Sequence, residues 1–466
     1  MATLKVFTIF SNYSPKWQCN NGAITSDCTI LKECKGNLTF PENQFYSLRQ
    51  EMGWLCPPND IYASWFSSII FLGVLCGVIS SGVLSDTFGR KKITILAFTI
   101  TIVANLALGF APLNPYILIG IRYFVGLGIG GTIVAGITYI NEMVLPKQRF
   151  SLRAFVNWGT SRLVMTVICM IFPHWRTASF VFTLLLIPSI PLMFIVPESP
   201  IWLHSKNRLK DMIDSDKKVA RLAGIEYVPI VRNEIERSKS LCEIIKTKAL
   251  FKRLVFFWIM WFITAVSGFA TDLYSNTIAG DFYINQIIFC LFIINSKWIV
   301  IYFDVKYPAF NRRVLHQGSQ FIVVSLFSVI TVMKHFEYSG VLFLICNVLG
   351  SVFLELCWDM CYLCTQESIE TSCRASATGS CSLFARIGGM IAPFLAHLTT
   401  IWPPFVYAVV VALGTFELIL SCLFLEESKG VDLDKVRLED NELVGLKLGK
   451  VHPTKRECTT MKANIE

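Results

Sequence analysis

The chain has 466 residues, of which 53% are hydrophobic and only 16% are charged, and its formal net charge is +9. A soluble domain carries about 25% charged residues, so this composition excludes a water-soluble globular protein. The excess cations lie in short connections between apolar runs, where membrane topology places lysine and arginine, and we therefore expect no nucleic-acid partner.

Eleven apolar runs follow one another along the chain, each near the length of about 20 residues that crosses roughly 30 Å of hydrocarbon as a helix. They do not alternate polar and apolar residues as barrel strands do. The predicted spans are 62–84, 93–112, 115–140, 151–173, 177–196, 252–274, 282–303, 317–333, 339–364, 375–399 and 403–425. We expect an all-α, multi-pass protein with the lipid bilayer as a partner.

The segment before the first of these runs carries its own signals. Leu4–Phe10 is apolar but too short to span, so we interpret residues 1–12 as the remnant of a truncated first helix. Residues 13–61 contain an even set of cysteines, which is typical of an oxidising compartment: Cys19, Cys28, Cys34 and Cys56. We expect two disulfides, with three pairings open; the alternative is four unpaired surface cysteines. Two N-x-S/T sequons, at Asn37 and Asn12, predict glycosylation, more weakly at Asn12 because it lies near the predicted membrane edge.

Lysine and arginine concentrate in alternate connections between the spans. These are Arg90 to Lys92, the residues from Lys147 to Arg153, the segment from Lys206 to Arg253, the residues from Lys306 to Arg313, and Arg374. The positive-inside rule makes these connections cytoplasmic, which places residues 13–61 outside the cell and predicts the plasma membrane. The expected domains are helical bundles at 62–196 and 251–425, a cytoplasmic loop at 197–250 and a cytoplasmic tail at 426–466.

Charged loops repeat between the two predicted bundles. In "GVLSDTFGRKK", residues 82–92, an aspartate leads a glycine and three cations, and "YFDVKYPAFNRR" repeats the order in the second bundle. An acid is followed seven residues later by arginine in both bundles. Carboxylate and guanidinium groups at matching helix ends can pair, so we expect gating ties there; the alternative is that they only anchor loops. The candidate gating residues are Asp86, Gly89, Arg90, Arg122, Glu142, Arg149, Asp304, Arg312, Arg313, Glu367 and Arg374.

These motifs resemble a known family. "GVLSDTFGRKK" resembles the signature loop between the second and third helices of the major facilitator superfamily. Four further motifs are similar, in order and spacing, to those of its organic cation/anion transporter family: "NEMVLPKQR", "PESPIWL", "ARIGGMIAPF" and "LEESKG". The resemblance implies two six-helix bundles with pseudo-two-fold symmetry, a central cavity and transport of small organic ions by alternating access.

Charges inside the predicted spans are the candidate substrate ligands, because charge in the bilayer is costly and usually faces a cavity. Arg386 stands out, since the resemblance implies an aspartate there in cation carriers and a base in anion or zwitterion carriers. Arginine can hold a carboxylate bidentately; the alternative is a structural pair with a neighbouring acid. The other candidates are the cations Arg162 and Lys297, the acids Glu355 and Asp359, and the aromatics Trp258, Trp261, Phe262, Trp358 and Tyr362.

The predicted function is therefore a transmembrane transporter of small organic ions, with a lean toward anions or zwitterions. The alternative is a non-transporting relative that acts as a sensor or scaffold. No cofactor is expected, because the chain has no phosphate-binding glycine loop with its lysine. No metal is expected, because Cys361 and Cys364 have no second ligand pair at zinc spacing. An enzyme is not expected, because none of the 6 histidines lies beside a partner acid in a motif.

Overall fold

The computed structural model describes most of the chain. The described residues are 2–20, 22, 24–34, 38–41, 43–144, 157–229, 241–275, 278, 280–307, 311–338, 340–369 and 371–425. Arg149, Asn37, the side chain of Asp304 and the predicted tail 426–466 lie outside the described residues.

The structure is helical, with two groups of helices and a polar connection between them. The first group contains α1 (Ala2–Ser11), α2 (Cys28–Glu33), α3 (Leu48–Glu51), α4 (Ile61–Phe88), α5 (Arg90–Phe110), α6 (Pro115–Gly131), α7 (Ile137–Met143), α8 (Trp158–Ile171), α9 (Trp175–Leu186) and α10 (Ser189–Ile195). The connection contains α11 (Pro200–Ser205), α12 (Leu209–Ala223) and α13 (Leu241–Lys246). The second group contains α14 (Lys248–Tyr274), α15 (Phe282–Lys306), α16 (Arg312–His335), α17 (Val341–Ser368), α18 (Thr371–His397) and α19 (Phe405–Phe424).

Across the described residues, 10 helical stretches are long and apolar enough to cross a membrane. One of them, Pro115–Met143, is α6 and α7 joined by a π-helical turn at Thr132–Gly136. The predicted span at 151–173 is described as α8, which has 14 residues and follows a stretch outside the described part of the chain. The apolar run Leu4–Phe10 lies within α1, which has 10 residues.

Local sequence accounts for several helix boundaries. Asn114 caps α6 by accepting hydrogen bonds from the next backbone N–H groups, and proline occupies the first helical position, where no N–H is needed. Asn157 caps α8 through the N–H of Thr160. Between α4 and α5, Gly89 has φ +113°, a conformation that residues with a Cβ rarely adopt. Glycine is therefore required for the direct turn from one span into the next.

Small residues set the closest helix contact in the first group. α4 packs against α6, and a Cβ on Gly126 would lie 2.2 Å from the backbone oxygen of Ile70. A Cβ on Gly73 or Gly77 would lie 2.2 Å from a backbone oxygen of α6. These glycines let the two backbones touch, as small residues do in membrane helix pairs.

The two groups of helices form two halves whose main contacts are two helix pairs. α4 packs against α18 and α8 packs against α15. Ser64 and Ser68 on α4 donate hydrogen bonds to backbone carbonyls of α18, at 3.2 and 2.7 Å. When α1 is counted as the first helix, α4 and α8 are the second and fifth helices of the first half, and α15 and α18 are the second and fifth of the second half. Each contact therefore pairs a second helix with a fifth helix, as expected of two pseudo-symmetric halves.

The described residues between 13 and 60 lie over one end of the halves, and we call them the cystine cap. Short antiparallel strands β1 (Gln18–Cys19) and β2 (Leu38–Thr39) lie within it. Of the three pairings left open by the sequence, the structure has Cys19–Cys34 and Cys28–Cys56. We call the end under this cap the cystine end and the opposite end, where α4 turns into α5, the basic end. Asn12 lies beside α4, where its amide donates to Ser67 at 2.6 Å.

Non-reducing peptide mapping is expected to recover these two disulfides and no others. Replacing Cys28 and Cys56 together with serine is expected to destabilise the cap by about 3–4 kcal/mol, because their separation of 28 residues closes a long loop. Increased proteolysis of residues 13–60 would report the loss. Cys422→Ser is the matched control, since Cys422 is free and exposed. Recovery of Cys19 with Cys28 would contradict the fold of the cap.

Candidate functional site

A cavity of about 470 Å³ lies between the two halves. This volume falls within the roughly 300–1,000 Å³ of small-molecule sites. Its lining comes from both halves and includes Lys5, Ile133, Ile137, Trp158 and Ser161 of the first and Thr264, Phe269, Asp272, Glu355, Trp358, Tyr362 and Arg386 of the second. The cavity can therefore hold a small organic molecule in contact with both halves.

Asp272 on α14 faces the cavity with its charge already matched. Arg162 on α8, which is completely buried, donates to the Asp272 carboxylate at 2.7 Å. Gln286 and Ser275 accept from the same guanidinium at 2.6–3.0 Å, and Trp158 donates to the other carboxylate oxygen at 3.1 Å. Arg162 is thus bound by side chains of the second half and joins the two halves. It is not among the residues that line the cavity.

Glu355 on α17 is matched in the same way. The Lys297 ammonium on α15 lies 3.4 Å from the Glu355 carboxylate and 2.5 Å from that of Asp359. Glu355 lines the cavity, whereas Lys297 and Asp359 are not among its lining residues. The sequence left Glu355 and Asp359 as partners of a cation or of Arg386, and the structure places Lys297 between them.

Lys5 and Arg386 face the cavity without a matching charge. Each has only 6% of its surface exposed, and Arg386 Nε has no hydrogen-bond partner. Neither side chain makes an ion pair or hydrogen bond with any residue that the structure describes. They lie within Coulombic range of each other. Lys5 was not predicted as a site residue, although a lysine inside the apolar run Leu4–Phe10 was the available signal.

Two of the five predicted aromatic residues, Trp358 and Tyr362, line the cavity. Trp261 lies behind them, with its ring centroid 4.2 Å from that of Tyr362 and its indole N–H donated to Thr365 at 3.0 Å. Trp258 stacks on Phe384. Neither of these tryptophans, nor Phe262, is among the cavity residues. Trp158 and Phe269 supply further aromatic surface.

Four predicted gating residues of the first half lie together at the basic end: Asp86, Gly89, Arg90 and Glu142. The Arg90 guanidinium lies 2.6 Å from Asp86 and 3.4 Å from Glu142. Glu198, in the "PESPIWL" motif, accepts from the backbone N–H of Lys91 at 2.8 Å. A Cβ on Gly89 would lie 2.5 Å from the Glu198 carboxylate. The cluster joins α4, α5, α7 and the start of the connection within one half, and Glu198 was not predicted as a member.

A second cluster occupies the matching position of the other half. Arg312 on α16 lies 3.4 Å from the Glu367 carboxylate on α17. Arg313 donates to the Cys422 carbonyl at 3.0 Å and Arg374 to the Ile369 carbonyl at 3.4 Å. These contacts also lie within one half. Arg122 lies elsewhere, fully buried, with its guanidinium 4.9 Å from the centre of the Phe66 ring and 5.7 Å from that of Phe7.

Known proteins resemble this chain over most of its length. The family described as "Sugar (and other) transporter" matches residues 5–439. The uncharacterised protein F23F12.3 of Caenorhabditis elegans is 32% identical, over 94% of this chain and 92% of its own. The organic cation transporter-like protein of Drosophila melanogaster is 26% identical, over 82% of this chain and 71% of its own. An inward-open structure of the xylose transporter XylE from Escherichia coli superposes with a TM-score of 0.63 at 14% identity, over 93% of this chain and 97% of that one.

Proposed function

Since this chain belongs to the sugar (and other) transporter family of the major facilitator superfamily, we propose that it carries small organic anions or zwitterions by alternating access. The predicted family, fold and transporter class are confirmed by the family match, the relatives and the XylE-like fold. The chain is a multi-pass membrane transporter. The sign of the substrate charge and the route are the proposal.

The charge balance around the cavity supports an anionic group on the substrate. Four cations, Lys5, Arg162, Lys297 and Arg386, stand against three carboxylates, Asp272, Glu355 and Asp359. Arg162 and Lys297 are paired with these carboxylates, so the excess positive charge lies on Lys5 and Arg386. A buried charge without a partner is costly, and a bound carboxylate would remove that cost. This is the observation that carries the proposal.

The position of the two cations supports a role in moving the substrate. Lys5 belongs to the first half and Arg386 to the second, so one anion between them would contact both halves. The aromatic rings of Trp358 and Tyr362 lie on the same cavity and suit a flat or cationic portion of an organic substrate. A zwitterion could place its carboxylate on the cations and its ammonium on these rings.

The contacts between the halves at the cystine end support the proposal that the cavity is closed at that end. At the cystine end, Gln44 of the cap donates to Asp281 at 2.8 Å and accepts from the N–H of Phe282 at 2.7 Å. The Tyr283 hydroxyl donates to the carbonyl of Cys169, across the halves, at 2.9 Å. We place the cystine end outside the cell, at the plasma membrane, with Asn37 as a glycosylation site. In this state the substrate would exchange through the basic end.

Proteoliposome uptake tests the proposed function. Radiolabelled phthalate, an organic anion, and glycine betaine, a zwitterion, are expected to enter the vesicles. Tetraethylammonium, an organic cation, is expected to be excluded. Arg386→Ala and Lys5→Ala are each expected to reduce phthalate uptake by about 10- to 100-fold, because a hydrogen bond to a charged group contributes about 1.5–3 kcal/mol.

The matched control is Arg208→Ala, since Arg208 pairs with Asp211 on the exposed surface of the connection. Its uptake should equal that of the unmodified protein. Uptake of tetraethylammonium alone would overturn the anion assignment and direct attention to Glu355 and Asp359. No uptake of any of the three probes by folded protein would contradict the transport proposal and favour a sensor or scaffold.

A further inference from the structure

A histidine and a glutamate face each other inside the second half, away from the charged residues of the cavity. His316 on α16 and Glu417 on α19 are buried to 0% and 1% exposure, with Nε2 and Oε1 3.7 Å apart. Both imidazole nitrogens and Glu417 Oε2 are buried without a hydrogen-bond partner among the described residues. Buried polar atoms are nearly always hydrogen-bonded, so this pair needs an explanation beyond packing.

The charged residues on the packed helices have other partners, apart from Arg386, which faces the cavity. On α16, Arg312 faces Glu367 of α17, and Arg313 reaches the Cys422 carbonyl of α19. On α17, Glu355 and Asp359 bind Lys297. On α14, Asp272 binds Arg162 and Lys252 lies 5.1 Å from the Phe424 ring centre. On α18, Arg374 reaches the Ile369 carbonyl and Arg386 faces the cavity. The titratable neighbours that remain are the thiols of Cys357 and Cys361 on α17.

The pair is electrically neutral only when it holds one proton. Protonated Glu417 beside neutral His316, and ionised Glu417 beside protonated His316, differ only in the position of that proton. Removing the proton leaves a lone carboxylate in a dry interior, where an unpaired charge is costly. The 3.7 Å separation is longer than a hydrogen bond of about 2.7–3.2 Å, so a small helix movement can form or break the bond and alter how firmly the proton is held.

A hydroxyl group connects the pair to the cavity. Thr264 on α14 lines the cavity and donates to Glu417 Oε1 at 3.3 Å. A hydroxyl both donates and accepts, so it can receive a proton from cavity water while it passes its own proton to the carboxylate. Glu417 is therefore one hydroxyl away from the substrate space.

We propose that Glu417 and His316 form a proton-binding site, and that transport by this protein is coupled to proton movement through it. A hydronium ion in the cavity gives a proton to the Thr264 oxygen and becomes water, while the Thr264 hydroxyl passes its own proton to Glu417 and forms the O–H bond of the acid. When the halves rearrange, Glu417 returns a proton to the Thr264 oxygen, and the Thr264 hydroxyl releases its proton to water. The coupling rests on the proposed function, whereas the proton site itself does not.

Infrared spectroscopy of the full chain in lipid tests the site without any substrate. The carbonyl-stretch band of a protonated carboxylic acid is expected to change with pH and to lose one component in Glu417→Gln. The matched control, Glu243→Gln, alters an exposed glutamate and should retain the component of the band that Glu417→Gln removes. A pH-dependent band identical in Glu417→Gln and the unmodified protein would overturn the proposal.

Transport with a pH gradient tests the coupling. An inward proton gradient is expected to increase phthalate accumulation by at least tenfold, and Glu417→Gln is expected to lose that increase while phthalate exchange continues. Equal accumulation with and without the gradient in the unmodified protein would overturn the coupling, as would a full gradient response in Glu417→Gln. Absence of phthalate uptake altogether would count against the proposed function and leave the infrared result standing.

Thr264→Val keeps the test decisive if Glu417→Gln does not fold. Valine preserves the shape of threonine and removes only the hydroxyl that connects Glu417 to the cavity. The variant is expected to lose the gradient response and to slow the pH-dependent change of the infrared band. An unchanged response together with an unchanged rate would overturn the proposed route.

Discussion

Replacing Asp272 by leucine is expected to destabilise the protein by about 3–5 kcal/mol, because it leaves the buried Arg162 guanidinium without its counter-charge. Arg162 has no exposed surface, so water cannot replace the lost carboxylate. The unfolding temperature in detergent, followed with a thiol-reactive dye, measures the effect. Cys169, Cys290 and Cys357 are buried free cysteines that react with the dye only when the helices separate.

The double variant Arg162→Met with Asp272→Leu separates charge from shape. Hydrophobic residues in place of a buried ion pair are often neutral or stabilising, so most of the lost stability is expected to return. Recovery will be incomplete, because Gln286 and Ser275 also lose their donor. A double variant as unstable as the sum of the two single variants would show that the pair's charges do not interact as described.

The second large effect is expected from a single added methyl group. Gly126→Ala places a Cβ 2.2 Å from the backbone oxygen of Ile70, where only movement of the whole helix can relieve the overlap. Overpacking typically costs about 1–3 kcal/mol and occasionally more. The upper part of that range is expected here, because the obstructing atom belongs to the backbone. Reduced yield of folded protein and a lower unfolding temperature are the measurements.

Gly120→Ala is the matched control on the same helix. A Cβ there meets no atom within 4 Å, and alanine is favoured over glycine in a helix interior by about 1 kcal/mol. This variant should be as stable as the unmodified protein or slightly more so. Equal stability of Gly126→Ala and Gly120→Ala would show that α4 and α6 do not touch through their backbones.

These two predictions concern different parts of the structure. The α4–α6 contact lies within the first half, where rigidity lets the half move as one body. The Arg162–Asp272 pair crosses between the halves, so under the proposed alternating access its contacts would rearrange when the cavity changes the side to which it opens. If the double variant regains its stability but not its phthalate uptake, the Arg162–Asp272 pair has a role in the proposed transport cycle in addition to its role in stability.

The resemblance predicted the fold class correctly because its motifs occupy helix ends, where the local sequence decides the conformation. Asp86, Gly89, Arg90 and Glu142 were grouped from their order in the sequence, and the structure places them together; their gating role stays a prediction. Their partners were not all recognised, since Glu198 lies more than 100 residues from Lys91 along the chain. The ten-residue helix α1 was expected only as a remnant, yet it supplies Lys5 to the cavity.

The amino-acid sequence by itself determined the membrane class, the approximate spans, the two halves and the family, since hydrophobic length, charge asymmetry and motif order are properties of a linear chain. Only the tertiary structure decided which charges have partners. The sequence favoured Arg386 over Arg162 and Lys297 through the resemblance, but only helix packing shows that Arg162 and Lys297 each have a carboxylate partner while Arg386 faces the cavity with Lys5. The energy of a buried charge depends on its neighbours within a few ångströms, and in a helical bundle those neighbours come from distant parts of the chain.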